Sequence, residues 1–335
     1  MQKTLERIGL RYVAGDRIAE VLADHRGQVL GCLGFGESAS APDSGSLPFA
    51  HAAMPVIGSR RAYEVWMSPL PVRYDRRGSI SSARNDQVLF GCLEIPGSET
   101  MDYDVLVYEE YCAIFDYLDD LGYPNLLRVW HYLPDIHGEE RSMERYKRFS
   151  LGRHEAFVAK GRAISRDAPA ASAVGSRAGN TVITFLAGLH PGTPIENPRQ
   201  VSAYSYPVQY GPRGPTFARA LFTTWNGLPQ LYVSGTASIL GHLSQHEGDA
   251  DAQADETIRN LRSVIGAASG LIDAQNAAEM QFKVYLREAA YQPLVEAKLR
   301  AAFGDASVII CLQADICRRE LLLEVELVVA SNRPA

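Results

Sequence analysis

Between Cys317 and Val329 the chain runs Cys-Arg-Arg-Glu-Leu-Leu-Leu-Glu-Val-Glu-Leu-Val-Val. An extended backbone sends successive side chains to opposite faces. Leu321, Leu323, Val325, Leu327 and Val329 therefore share one wholly apolar face, and Glu320, Leu322, Glu324, Glu326 and Val328 share the other. A strand this apolar has to be covered on at least one side, and the fate of Glu324 and Glu326 depends on the second side. If the strand is central, their carboxylates are desolvated and hold protons more tightly. Such a group can keep a proton near neutral pH and deliver it to a substrate. If the strand lies at an edge, the glutamates meet water, which is the commoner fate of a glutamate in a strand. On this stretch alone the edge is the expectation.

The rest of the chain supplies two rounds of one plan. Gln28–Gly36 reads as a strand followed by a loop from Glu37 to Pro48. Its glycines do not form a phosphate cradle, because no helix opens directly behind them. Gln87–Ile95 is a strand ended by Pro96-Gly97. A helix from about Asp104 follows, with Val107, Tyr111, Ile114, Phe115 and Leu118 on one face and Gly122 and Pro124 at its end, and then a strand over Leu126–Leu133. The later round has a strand over Gln230–Ile239 and a helix with Ala254, Ile258, Leu261, Ile265 and Ala268 on one face. A strand over Phe282–Arg287, a helix over about Tyr291–Phe303 and a strand over Ser307–Leu312 complete it. The repetition implies an internally duplicated α/β unit, and 335 residues suit two domains.

Between the rounds lies a region with little periodicity. Arg145–Arg153 is polar and aromatic, Ala168–Gly179 is a small-residue stretch that is either a linker or tightly packed backbone, and Thr181–Gly188 is a strand. From Pro198 to Ala220, arginine and tyrosine recur without acids. Guanidinium forks bind carboxylates bidentately and tyrosine adds an apolar face with one hydrogen bond, so this composition suits a small anionic ligand; a solvated surface is the simpler alternative.

Composition narrows the function further. With 33 basic and 39 acidic residues the net charge is −6 and no basic stripe exists, which argues against nucleic acid and acidic membranes as partners. The N-terminal Met1–Arg7 has no apolar core behind its charges, and no segment approaches a membrane span, so a cytoplasmic protein is expected. Five cysteines without paired CxxC spacing indicate neither a disulfide framework nor a zinc site. His242 and His246 stand four apart, as helix-borne metal ligands do, but no glutamate follows His242 and no third ligand is near.

Several of these segments together carry a resemblance. Leu231–Ser238, Gly241-His242, Glu256–Leu261 and Leu323–Glu326 resemble the RidA/YjgF-like fold. With Arg128–Trp130, Arg145-Tyr146, Gly152-Arg153, Tyr204, Tyr210–Pro212, Arg219 and Cys317-Arg318 added, the chain resembles the bacterial chorismatases over most of its length. The nearest members form hydroxybenzoates that supply pigment and ubiquinone pathways. The resemblance implies an α/β (α+β) fold of two related halves, each a mixed sheet covered by helices, taken as residues 1–160 and 161–335 with the second half catalytic. It implies chorismate as substrate and small-molecule partner, pyruvate as one product, no metal and no organic cofactor, with a homotrimer as one mode of assembly. Carried over position by position, it makes Glu324 the acid and Arg153, Arg219 and Tyr204 the carboxylate-binding groups. Glu326, on the same strand face, is the rival acid, which spacing alone does not separate from Glu324. Cys317 matches cysteine in members that release aromatic 3-hydroxybenzoate, where members that only hydrolyse chorismate to a diol have alanine. Ala237 matches the alanine of the hydrolysing members, on the strand that also carries Gly235 in the substrate-binding set, so the two positions point in different directions and a mixed 3- and 4-hydroxybenzoate output is expected. Two other functions fit parts of the pattern. RidA-type imine hydrolases use an arginine on the strand before the last, where this chain has Ile309, and a non-catalytic aryl-acid-binding protein would use the same arginines with Glu324 as a structural residue.

Overall fold

The computed structural model describes residues 6–41, 45–97, 101–274 and 279–332. The sequence readings for Met1–Arg7 and for the loop after Gly36 fall partly outside them. Two six-stranded sheets form the body of the molecule. In the first, the order is Ala170–Ser176, Asn125–Pro134, Thr181–Gly188, Val88–Ile95, Ile80–Arg84, Arg73–Arg77. In the second, it is Val308–Gln313, Glu279–Leu286, Leu323–Ala330, Leu228–Thr236, Ala220–Trp225, Thr193–Ile195. The two correspond strand for strand in chain order. In each, a helix follows the third strand, a second helix follows the fourth, the fifth strand pairs parallel with the fourth, and the last inserts antiparallel between the third and fourth. That is the duplicated unit that the sequence patterning implied.

Pairing assigns Ala170–Ser176 and Thr181–Gly188 to the first unit. The division expected at 160/161 therefore runs through that unit, because strand partners 40 or more residues away leave no local trace. The small-residue stretch is an edge strand and not a linker. We propose that the units divide near residue 190. A further four-stranded sheet built from Gly9–Ala14, Val29–Gly36, Phe49–Ala52 and Arg61–Met67 precedes both and belongs to neither repeat.

Each six-stranded sheet packs helices on one face. Tyr111, Ile114 and Phe115 of helix Tyr103–Leu121 bury against Leu89, Val129 and Ile183, while Ile258, Leu261 and Val264 of helix Ala250–Ala267 bury against Val233, Val325 and Leu327. At about 1.5–3 kcal/mol for each fully buried large aliphatic or aromatic side chain, these faces anchor the helices. The opposite faces meet in a common core with the N-terminal sheet, where Trp66, Trp130, Tyr132, Tyr232 and Tyr285 gather. The C-terminal strand, Leu323–Ala330, is thus central and every residue of it is buried. The edge position expected for it is wrong. Sheet order is fixed by long-range pairing and was not encoded in the strand's own alternation.

Candidate active site

Glu324 points from this central strand into a cavity of about 250 Å3 between the two units. The strand that flanks it, Leu228–Thr236, slips register between Val233 and Thr236, a β-bulge at Ser234-Gly235 that re-aims the backbone beside the carboxyl group. Gly235 makes the position possible. A Cβ built on it would lie 2.0 Å from Glu324 Oε1, so the missing side chain is the space the carboxyl occupies. Ser234 stitches the bulge to both neighbours, accepting the Ala171 N–H at 2.9 Å and donating to the Ala218 carbonyl at 2.5 Å.

The cavity's roof comes from helix Arg145–Ala159, which the sequence reading missed because Arg148 and Arg153 occupy buried positions and break the apolar periodicity. Gly152 lets this helix lie against helix Tyr103–Leu121, since a Cβ there would meet the Asp104 carbonyl at 2.1 Å, and Arg148 pairs with Asp104 across the same contact. The close approach drives Arg153 inward. It is 3 % exposed, stacks on Tyr111 and Phe157, and leaves Nε and Nη2 without partners. Arg219 is 5 % exposed, donates from Nη2 to the Val201 carbonyl at 2.8 Å and to Tyr206 Oη at 2.7 Å, and has its Nε unpartnered. Arg318, stacked 3.9 Å over Tyr210, also keeps a buried Nη2 free. Buried donors without partners are costly unless a ligand completes them. Their number and placement describe a pocket for carboxylate groups.

Electrostatics set Glu324 apart from the other glutamates that line the cavity. Burial pushes Glu324 up to about 8, with Arg128 and Arg219 opposing the rise. The carboxyl is therefore protonated through neutral pH, the state a proton donor needs. Burial likewise pushes the Cys317 thiol up to about 12, with the Glu324 charge adding to the rise, so it is present as a neutral thiol. His131 is held well below its usual range by burial, with the Arg153 charge adding to the effect. Its Nδ1 donates to the Ser172 carbonyl at 2.7 Å and Nε2 accepts from Tyr111, leaving it a neutral wall residue.

Among the residues singled out from sequence, Glu324, Cys317, Arg153, Arg219, Gly235 and Ala237 line this one cavity. Tyr204 does not; the lining tyrosines are Tyr146, Tyr206 and Tyr210. Tyr204 sits in a short 3-10 turn, Ala203–Ser205, where no periodicity tells which tyrosine faces inward. Glu326 lies behind the acid, outside the cavity lining, and pairs with Arg128 and Lys283. His242 and His246 are in loop segments and not on a helix. Sequence reasoning gave no role to Ser172, Thr216 or Phe217, which also border the cavity, and nothing in their local pattern distinguishes them.

A buried carboxyl raised toward neutral pH and walled by guanidinium donors and aromatic rings stands in a doubled α/β scaffold. Residues 64–187 match the family model described as chorismatase FkbO/Hyg5-like, N-terminal. A 3-hydroxybenzoate synthase of Streptomyces hygroscopicus is 36 % identical over 277 residues, 79 % of this chain and 81 % of that protein. A chorismatase of the same organism is 34 % identical over 279 residues, 80 % of this chain and 79 % of its own length. The crystal structure of a chorismatase superposes with a TM-score of 0.86 at 28 % identity, covering 96 % of this chain and 98 % of the other. The chain belongs to the chorismatase family. Its two related units repeat one mixed-sheet plan covered by helices, as the resemblance implied.

Proposed function

We propose that this protein converts chorismate to pyruvate and 3-hydroxybenzoate, with 4-hydroxybenzoate as a second product, and that Glu324 is the acid. The observation that carries the reading is a carboxyl group held protonated by burial in a cavity whose arginines have unpaired donors. Chorismate is a dianion with an enol ether and a ring hydroxyl, so it answers each of these features. Arg153 and Arg219 take its carboxylates. Glu324 protonates the methylene carbon of the enolpyruvyl group, leaving an oxocarbenium centre on the side chain. The neighbouring ring hydroxyl attacks ring C3 as the C3–O bond breaks; that electron pair becomes the carbonyl of pyruvate, and the hydroxyl proton returns to the Glu324 carboxylate. The C3–C4 epoxide so formed opens at one C–O bond; the ring proton on the carbon that keeps the oxygen is lost and the oxygen takes up a proton, giving 3-hydroxybenzoate when the C4–O bond breaks and 4-hydroxybenzoate when the C3–O bond breaks. In the hydrolytic branch, water adds to the oxocarbenium carbon and a non-aromatic diol leaves with pyruvate. A hydroxybenzoate product suits pigment and ubiquinone formation. The same reading places the enzyme in the cytoplasm, with a homotrimer as its assembly; among the described residues no helix is long and apolar enough to cross a membrane. Incubation with chorismate, with pyruvate release followed and the products separated by chromatography, tests the reading. Absence of pyruvate release would overturn it.

Two substitutions examine the assignments. An ammonium does not reproduce a stacked, bidentate guanidinium, so Arg153→Lys is expected to weaken chorismate binding by about 1–3 kcal/mol, read as a raised KM with an unchanged melting temperature. A KM equal to wild type removes Arg153 from the site. Cys317 brings volume and a weak S–H donor to the cavity, which disfavours the attacking water. Cys317→Ala is expected to keep pyruvate release and divert product toward the diol, and an unaltered hydroxybenzoate profile on chromatography refutes that role.

A further inference from the structure

The chemistry above uses none of a buried group of charges behind Glu324. Arg128 Nη2 donates to Glu326 and, at 2.6 Å, to Ser172 Oγ. Lys283 Nζ lies 2.8 Å from Glu326 Oε1 and also pairs with Glu64, on strand Arg61–Met67 of the N-terminal sheet. Tyr285 and Ser172 each donate a hydroxyl to Glu326 at 2.6 Å. Arg128, Lys283, Glu64 and Glu326 are all at most 4 % exposed, and formally two cations face two anions. Replacing such a cluster by packed apolar side chains is commonly neutral or stabilising, so stability alone is a poor reason for its presence.

The cluster reaches the cavity through Ser172. Its hydroxyl oxygen accepts from Arg128 and from the Gly235 N–H at 3.0 Å, and Gly235 is the residue whose bare Cα faces the Glu324 carboxyl. Glu326 is two residues from Glu324 on the same strand face, about 7 Å along the strand. We propose that Arg128 and Glu326 are positioning residues that fix the charge seen by Glu324 and thereby the pH range in which it keeps its proton. This rests on Glu324 being the acid, as proposed above. Neither residue borders the cavity, so each acts through Glu324 and not on substrate.

The other groups around Glu324 do not supply this control. Tyr146 from the roof helix, Cys317 from the loop before the strand, and Tyr285 from the adjacent strand are all pushed upward by burial and stay neutral across the working range. His131 is held neutral from the other side. Arg153, Arg219 and Arg318 carry permanent charge. Glu144, Lys147, Arg319 and Glu320 border the cavity at its exposed or partly exposed rim. The hidden cluster is thus the adjustable part of the field, balanced below about pH 8, where Lys283, lowered to about 8 by burial, keeps its proton. With that balance, burial decides the state of Glu324.

Infrared titration reads Glu324 without substrate, through the protonated-carboxyl band that Glu324→Gln removes. Glu326→Gln keeps the shape and takes away the anion two residues along the strand, so the midpoint of that band is expected to fall. Arg128→Met takes away a cation and the midpoint is expected to rise. A unit charge roughly 7–10 Å away at an effective dielectric of about 20 moves a midpoint by about one pH unit or more. The double variant removes one charge of each sign and is expected to return close to wild type. Melting curves establish which variants fold, and either single variant is decisive by itself. An unmoved midpoint, or shifts of the same sign in both, overturns the proposal. The pH profile of chorismate turnover is taken in parallel: turnover with unmoved midpoints rejects the role of the pair alone, whereas moved midpoints with no turnover in the wild type reject the reaction.

Discussion

Glu324→Gln is expected to lower turnover by about 10²-fold or more while binding of a substrate analogue survives. The amide has the shape of the acid and can fill the same bulge beside Gly235, but it has no proton of suitable acidity to give. The wild-type enzyme carries its own check in the pH dependence. A carboxyl raised by burial to about 8 is protonated below that pH and ionised above it, so the acid form predominates at neutral pH and disappears on the alkaline side. The rate should fall as pH rises through about 8, and this alkaline limb should be absent from the residual activity of Glu324→Gln. A flat profile in the wild type, or full turnover in the variant, would show that another group donates the proton. Glu326→Gln is the sharpest comparison. If it loses turnover as deeply as Glu324→Gln at every pH, the acid is Glu326 and the assignment on this strand is reversed.

The duplicated plan was legible in the sequence because its elements are self-contained signals. Thr181–Gly188 and Val88–Ile95 are predominantly apolar runs, and helix Tyr103–Leu121 has a regular buried face and ends at Gly122 with φ 79°, the left-handed cap its glycine predicts. What could not be read is which strands lie beside which. The C-terminal strand looks the same whether central or at an edge, and only the insertion between Leu228–Thr236 and Glu279–Leu286 buries its glutamates. The N-terminal sheet is a stronger case. Glu64 sits within Arg61–Met67, a segment with no outstanding pattern, and its partner Lys283 is more than two hundred residues away.

The site was legible to the extent that its residues were unusual for their neighbourhoods. Two glutamates on an apolar strand were visible, and resemblance named the arginines and Gly235. Spacing did not separate Glu324 from Glu326 and the resemblance alone chose Glu324; that one faces a cavity and the other two cations is visible only in the fold. Choosing among Tyr204, Tyr206 and Tyr210 required the path of two short 3-10 turns, which follow no hydrophobic period. Helix Arg145–Ala159 was hidden for a related reason. A helix that serves a polar site places arginine where periodicity expects leucine.

Gly235→Ala is expected to be nearly as damaging as loss of the acid itself. Gly235 is not among the residues with positive φ, so alanine is compatible with its backbone and the consequence is purely one of space. The added methyl would stand 2.0 Å from Glu324 Oε1, 2.7 Å from its Cδ and 3.3 Å from Ser172 Oγ. Something has to move, and the carboxyl is the group with a cavity to move into. A displacement of about 1 Å at a reacting centre costs about 10²-fold in rate. Overpacking should at the same time destabilise the fold by only about 1–3 kcal/mol. Turnover should therefore collapse in a protein that still melts cooperatively. The second variant separates displacement of the acid from general damage: Glu324→Asp shortens the side chain by one methylene and makes room for the methyl. The double variant should then turn chorismate over faster than Gly235→Ala alone, although each substitution by itself lowers the rate. Simple additive loss in the double variant, or an unimpaired Gly235→Ala, would mean that the carboxyl does not depend on this gap in the strand.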